Sequence, residues 1–191
     1  MALPSTGPVL TGVKYFGTNG ADTITGTAGG DLIDGQLGND LINGNGGADK
    51  LYGGAGNDRL SGGAGNDLLQ GGKGVDALYG GAGNDTFAFS KADFDLSLGA
   101  KPQDFVWDFE GAGVAGGDFL RFSGFGADST LTKVTTDSVV NALAKYNPGL
   151  DYYTLKDSND GASYTIAIKT GGVVLSDSFD YHFYDTGVLL A

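Results

Sequence analysis

From residue 17 to residue 88 the apolar positions follow neither helical spacing nor simple alternation. An apolar residue returns at every ninth position, at Ile24, Ile33, Ile42, Leu51, Leu60, Leu69, Leu78 and Phe87, with a polar residue or a tyrosine on at least one side of each. Cut at that period, the segment divides without insertion into eight nonapeptides, from GTNGADTIT to GGAGNDTFA, with Gly at the first and fourth positions of every unit. The sixth position is always Asp: Asp22, Asp31, Asp40, Asp49, Asp58, Asp67, Asp76 and Asp85. Six Gly-rich residues suit a turn, because glycine takes positive φ without steric cost, and three residues with one apolar side chain suit a very short strand. Such a strand cannot bury its side chain alone. The spacing therefore predicts an all-β stack, a parallel β-roll in which two nonapeptides make one 18-residue coil and the eighth positions fill a narrow interior. Stacking also aligns the acids in two columns, Asp22, Asp40, Asp58, Asp76 and Asp31, Asp49, Asp67, Asp85. Carboxylates brought that close raise each other's pKa or repel unless a cation lies between them.

The sequence changes character at residue 89, where glycine thins out and aromatic residues appear. Segments 105–109, 118–122, 152–155 and 164–168 read as strands, and the Ser158-Asn-Asp-Gly161 turn joins the last two as a hairpin. One short helix is expected over Asp137 to Tyr146: Asp137 can cap it, Val139, Val140 and Leu143 give it an apolar face, and Asn147-Pro148-Gly149 ends it. The expected organisation is a linker or N-terminal cap strand over 1–16, the roll over 17–88, and a β-rich C-terminal capping and secretion region over 89–191. The cap covers a sheet end that would otherwise invite aggregation.

Composition narrows the partners. The 191 residues carry 23 acidic and 11 basic side chains, a net charge of −12, with Glu110 the single Glu. Such a surface repels phosphate backbones and anionic lipid, so nucleic acid is not an expected partner. There is no cysteine, which removes disulfides, thiol catalysis and zinc–thiolate sites. No apolar run is long enough for a membrane span, and residues 1–12 lack the basic start and apolar stretch of a secretory signal peptide. Hard carboxylate and carbonyl oxygens in pliable loops suit calcium better than magnesium or zinc.

The nonapeptides resemble the GGxGxDxUx repeat of the RTX, or haemolysin-type calcium-binding, family, for which a calcium-binding parallel β-helix is the expected fold. The resemblance implies a right-handed roll with each ion held between one loop (carbonyls of positions 2 and 4, Asp of 6) and the loop two repeats on (carbonyls of 1 and 3, Asp of 6). Carried onto this chain, one site joins Gly54, Gly56 and Asp58 to Gly71, Lys73 and Asp76. Its neighbour joins Gly63, Gly65 and Asp67 to Gly80, Ala82 and Asp85. Earlier loops would contribute Gly20, Gly29, Gly35, Gly38, Gly44, Gly47, Gly53, Ala55, Gly62 and Ala64 with Asp22, Asp31, Asp40 and Asp49, for up to six inter-loop sites. Repeats one to four depart from the pattern at position 2, with Thr18, Thr27, Gln36 and Asn45. Residues 104–125 resemble the segment after the repeats in secreted RTX hydrolases and in alginate-epimerase R-modules. Asp185-Thr-Gly-Val-Leu-Leu-Ala191 is similar to a type I secretion terminus. These likenesses imply a secreted, extracellular or cell-surface protein exported by type I machinery.

No catalytic constellation is present: the one histidine, His182, lies in an aromatic strand, and no H-E-x-x-H, G-x-S-x-G, P-loop or nucleophilic cysteine occurs. The expectation is a non-catalytic module. Asp93, Asp95 and Asp108 are candidates for a peripheral calcium site, beside the plainer reading as solvated acids. The alternative function is polysaccharide binding through outward-pointing Tyr52, Arg59, Lys73 and Tyr79, although residues 17–88 hold only three basic against nine acidic residues. Ice binding needs a loop ladder of Thr, and position 3 of the repeats has none.

Overall fold

The computed structural model describes residues 12–94, 104–110, 117–126, 128–133, 150–170, 175 and 181–184. The helix expected at 137–146, Asp95 and the terminus 185–191 lie outside the described residues.

Strand β1 (Lys14–Phe16) precedes the repeats, and the repeat strands are β2 (Thr23–Thr25), β3 (Leu32–Asp34), β4 (Leu41–Gly46), β5 (Lys50–Ala55), β6 (Arg59–Ala64), β7 (Leu68–Lys73), β8 (Asp76–Ala82) and β9 (Thr86–Ser90). A single 3-10 turn, Lys91–Asp93, comes next. The remaining strands are β10 (Asp104–Val106), β11 (Phe119–Ser123), β12 (Thr130–Lys133), β13 (Asp151–Lys156), β14 (Ser163–Ile168) and β15 (Tyr181–Tyr184). The described residues are thus all-β, as the repeat predicts.

Odd and even repeat strands fall into two sheets. One runs β1-β3-β5-β7-β9-β11-β15, the other β12-β13-β14-β10-β8-β6-β4-β2. Pairing within the repeats is parallel, each residue meeting the one eighteen positions on: Ile33 opposite Leu51, Leu51 opposite Leu69, Ile24 opposite Ile42 and Leu60 opposite Leu78. Consequently the eighth-position side chains lie between the sheets, and from Ile33 to Phe87 they are fully buried. Each such burial contributes roughly 1.5–3 kcal/mol.

Beyond Phe87 the interior widens to take rings. Phe89 stacks on Phe122 at 5.4 Å between centroids, Phe94 meets Tyr164 at 5.0 Å, and Phe125 stands edge-on to Tyr164 at 5.6 Å. Both sheets continue into this region. Strand β10 adds in parallel to β8, and β14 adds in parallel to β10. The chain then reverses, with β13 antiparallel to both β14 and β12. The hairpin read from the turn Ser158–Gly161 is therefore formed, between Asp151–Lys156 and Ser163–Ile168. Two of the expected strands are offset: the one read at 105–109 spans Asp104–Val106, and the one read at 118–122 spans Phe119–Ser123. Asp118, left out of the second, donates its N–H to the Glu110 carbonyl at 2.9 Å.

Candidate metal centre

Each repeat Asp sits just before its strand, or in the case of Asp76 begins it, and its two oxygens have different fates. One oxygen closes the stack: Oδ1 of each repeat Asp from Asp40 to Asp85 accepts the backbone N–H of the Asp one coil earlier, at 2.7–2.9 Å. The other oxygen has no partner. Oδ2 of Asp40, Asp49, Asp58, Asp67, Asp76 and Asp85 is buried and accepts no hydrogen bond. An unsatisfied buried acceptor costs about 1–3 kcal/mol, and more when charged, so a column of them marks a missing electropositive partner.

The glycines explain how the loops close around these oxygens. A Cβ on Gly53, at position 1, would overlap both Asp58 Oδ2 and the Gly71 carbonyl oxygen, so the carboxylate and the next coil's carbonyl share the space that glycine leaves. Gly56, at position 4, has φ +147° and faces the Gly38 carbonyl of the preceding coil at a distance no side chain allows. Carboxylate oxygens and backbone carbonyls thus line the same seam. Among the described residues no three His, Cys, Asp or Glu side chains converge, so a cation here has to draw on main-chain carbonyls as well. A hard-oxygen donor set of this kind, with orphaned carboxylate oxygens, fits calcium.

Residues 16–51 and 52–87 each match the family described as RTX calcium-binding nonapeptide repeat (4 copies). The roll is an RTX repeat array. One similar solved structure is the solution structure of the AlgE6R3 subunit of the mannuronan C5-epimerase from Azotobacter vinelandii, at 25% identity and a TM-score of 0.43, covering 100% of this chain and 90% of that one. No curated protein matches the chain.

Electrostatics in the RTX array follow from burial. Desolvation raises Asp58 and Asp67 to about 6 and Asp76 to about 7, against an ordinary value of 3.8. Carboxylates in adjacent coils push in the same direction, while the N–H bonds from the preceding coil only partly offset them. Asp49 and Asp85 are raised for the same leading reason.

The first two acids part from the others. Asp22 Oδ2 accepts from Thr18 N–H at 2.6 Å and from its hydroxyl at 3.0 Å; Asp31 Oδ2 accepts from Thr27 N–H at 2.6 Å and from its hydroxyl at 2.9 Å. Position 2 also diverges in the third and fourth repeats. Gln36 and Asn45 take positive φ, 73° and 74°, and donate their amides to the Gly17 and Gly26 carbonyls at 2.8 Å.

Sequence reading missed two acids outside the repeats. Asp104 Oδ1 accepts from Asp76 N–H at 3.1 Å, and Asp118 Oδ1 accepts from Asp85 N–H at 2.9 Å, continuing both columns. Burial raises Asp118 to about 7 and Asp104 well above the usual carboxylate range. The signal was available: an apolar residue, Val106 or Leu120, follows each Asp two positions on, as the eighth position follows the sixth in every repeat.

Asp93 and Asp108 do not form one peripheral site. Asp93 accepts from the Gln70 amide at 3.0 Å and acts on Asp76 and Asp104. Asp108 accepts Gly80 N–H at 2.8 Å and Gly81 N–H at 3.0 Å, and acts on Asp85 and Asp118. The four polysaccharide candidates also separate. Arg59 and Tyr79 meet on the sheet of β6 and β8, with the guanidinium 4.0 Å from the ring centre, whereas Tyr52 and Lys73 belong to β5 and β7 of the other sheet.

Proposed function

We propose that the chain is a non-catalytic, calcium-binding module that is ordered outside the cell and supports type I secretion and stability of the protein it serves. The column of buried, unpartnered Oδ2 atoms carries this reading. An uncompensated buried charge costs several kcal/mol even after relaxation, and a typical domain is stable by only about 5–15 kcal/mol. Six such oxygens exceed that margin, so at neutral pH the metal-free roll should be unfolded. Bound calcium would supply the positive charge between adjacent loops. The ligands would be the repeat Asp side chains and the loop carbonyls of positions 1 to 4. Coupling order to a cation abundant outside cells and scarce inside keeps the chain extended during export.

Far-UV circular dichroism in EDTA and in millimolar calcium tests the proposal. The expected result is a disordered spectrum that becomes β-rich with calcium; an identical ordered spectrum in both at pH 7 would sink it.

A second reading, polysaccharide targeting, rests on one surface feature. On the outer face of the even sheet, Tyr79 stacks on Trp107 at 6.3 Å and Trp107 on Phe105 at 5.9 Å, with Arg59 over Tyr79. A row of partly exposed rings with a guanidinium suits sugar stacking. Calcium-dependent retention on an immobilised acidic polysaccharide, abolished in Trp107→Ala, would support it, and no retention by folded protein would remove it.

A further inference from the structure

We infer that the cation positions are shifted toward the C-terminus relative to the repeats: two of them use Asp104 and Asp118, and the first two loops hold none. The inference rests on the calcium reading above and concerns where that calcium sits.

At the C-terminal end, the seventh and eighth loops keep the conformation of the interior ones. Gly72 and Gly74 have φ +102° and +133°, and Gly81 and Gly83 have +100° and +136°, against +107° and +147° for Gly54 and Gly56. Their acids, Asp76 and Asp85, each retain a buried Oδ2 without a partner although the repeats end there. Two acids of the cap take the place of a ninth and a tenth repeat. Asp104 is opposite Asp76 in the β10–β8 register, and Asp118 immediately precedes Phe119, which is opposite Thr86. Both accept the same backbone N–H that a repeat Asp would, and both are buried, at 5% and 1% exposure. Asp118 Oδ2 also accepts the Glu110 N–H at 2.8 Å, so the free acceptor of its seam is Asp85 Oδ2, as that of the other is Asp76 Oδ2. Among the described residues no salt bridge reaches either of them. The ion pairs of the described residues join Lys91 to Asp157 and Asp160, and Lys133 to Asp151.

The N-terminal end shows the reverse. There the position-2 residue is Thr, and its N–H and hydroxyl occupy the oxygen that is free in later repeats. Asp22 and Asp31 are thus satisfied by their own loops. The full set remains six, from Asp40, Asp49, Asp58, Asp67, Asp76 and Asp85, each acting with the Asp one coil on.

A crystal of the whole chain grown in calcium, with anomalous scattering recorded, tests the placement without any substitution. Peaks between Asp76 and Asp104 and between Asp85 and Asp118, with none beside Thr18 and Thr27, are expected. Peaks confined to the seams between repeats, including those of Asp22 and Asp31, overturn the inference and leave the calcium reading intact. An absence of peaks, with no calcium retained in equilibrium dialysis, overturns both. Dialysis of variants gives an independent count: Asp104→Asn and Asp118→Asn should each lose about one calcium per chain, and Asp22→Asn with Asp31→Asn should lose none. An unchanged count in folded Asp104→Asn and Asp118→Asn contradicts the inference.

Discussion

Lys91 Nζ lies 2.5 Å from Asp157 Oδ2 and 2.7 Å from Asp160 Oδ2, tying the first residue after β9 to the turn of a hairpin 66 residues later. Asp157 is completely buried, and its other oxygen takes N–H bonds from Gly126 at 3.0 Å and Asn159 at 2.9 Å. The end of the roll and the tip of the cap are thereby one electrostatic unit.

This unit should respond to acid. Burial alone would raise Asp157, but the Gly126 N–H, the Lys91 ammonium and the Asn159 N–H outweigh it and hold the group at about 2. A folded value below the unfolded one of 3.8 means stability that is complete above about pH 4 and lost as pH falls toward 2. Thermal melts in calcium should show this decline in the native chain, and Asp157→Asn should have a lower midpoint at pH 7 with a flatter acid limb. An unchanged midpoint would contradict the assignment.

The repeat carboxyls predict the opposite sign. Asp58 and Asp67 at about 6 and Asp76 at about 7 bind protons more readily folded than unfolded. Their contribution to the metal-free fold is complete below about pH 4 and is lost as pH rises through 6 to 7. Acid should therefore substitute in part for calcium. Circular dichroism in EDTA is expected to show more β-structure near pH 4.5 than at pH 7.5, while calcium affinity falls over the same acid range.

Glycine substitutions should divide by what the added carbon meets. Gly56→Ala drives Cβ into the Gly38 carbonyl from a backbone with φ +147°, whereas Gly20 has open space around its Cβ direction. The first change should prevent folding at calcium levels that suffice for the native chain. Gly20→Ala should leave the calcium midpoint within about a factor of two, since open surface changes usually lie within ±0.5 kcal/mol.

In the interior, Leu60→Ala removes a fully buried side chain packed between Ile42 and Leu78 in the ladder. A cost of about 2–5 kcal/mol is expected, read as a fall in the denaturation midpoint in saturating calcium.

The roll was legible because every local signal had the same nine-residue period. Position 8 alone gave the core from Ile33 to Phe87, and position 6 gave both acid columns. The cap was less legible because its strands come from distant segments: β10 lies between β8 and β14, a pairing that no local pattern announces. Asp104 and Asp118 escaped notice because they lie outside the uninterrupted nine-residue period: Asp104 has Pro102 where a repeat has its fourth-position Gly, and Asp118 stands in 113–121, with Gly first and fourth and Leu120 eighth, a unit separated from the eighth repeat by an insertion. The reach of Lys91 across to Asp157 is likewise a tertiary relation. The hairpin of β13 and β14 was visible because a local turn sets its register.

Within the repeats every strand pairs with the one eighteen residues on, and alternate units belong to opposite sheets. Insertion or deletion of eighteen residues would therefore change only the length of the molecule, returning each later strand to its own face. A change of nine would move every later strand to the opposite face and set the hairpin against the wrong neighbour. Chains of this design can vary in length by whole coils and not by single units, so related arrays with the same cap should differ in repeat number by two.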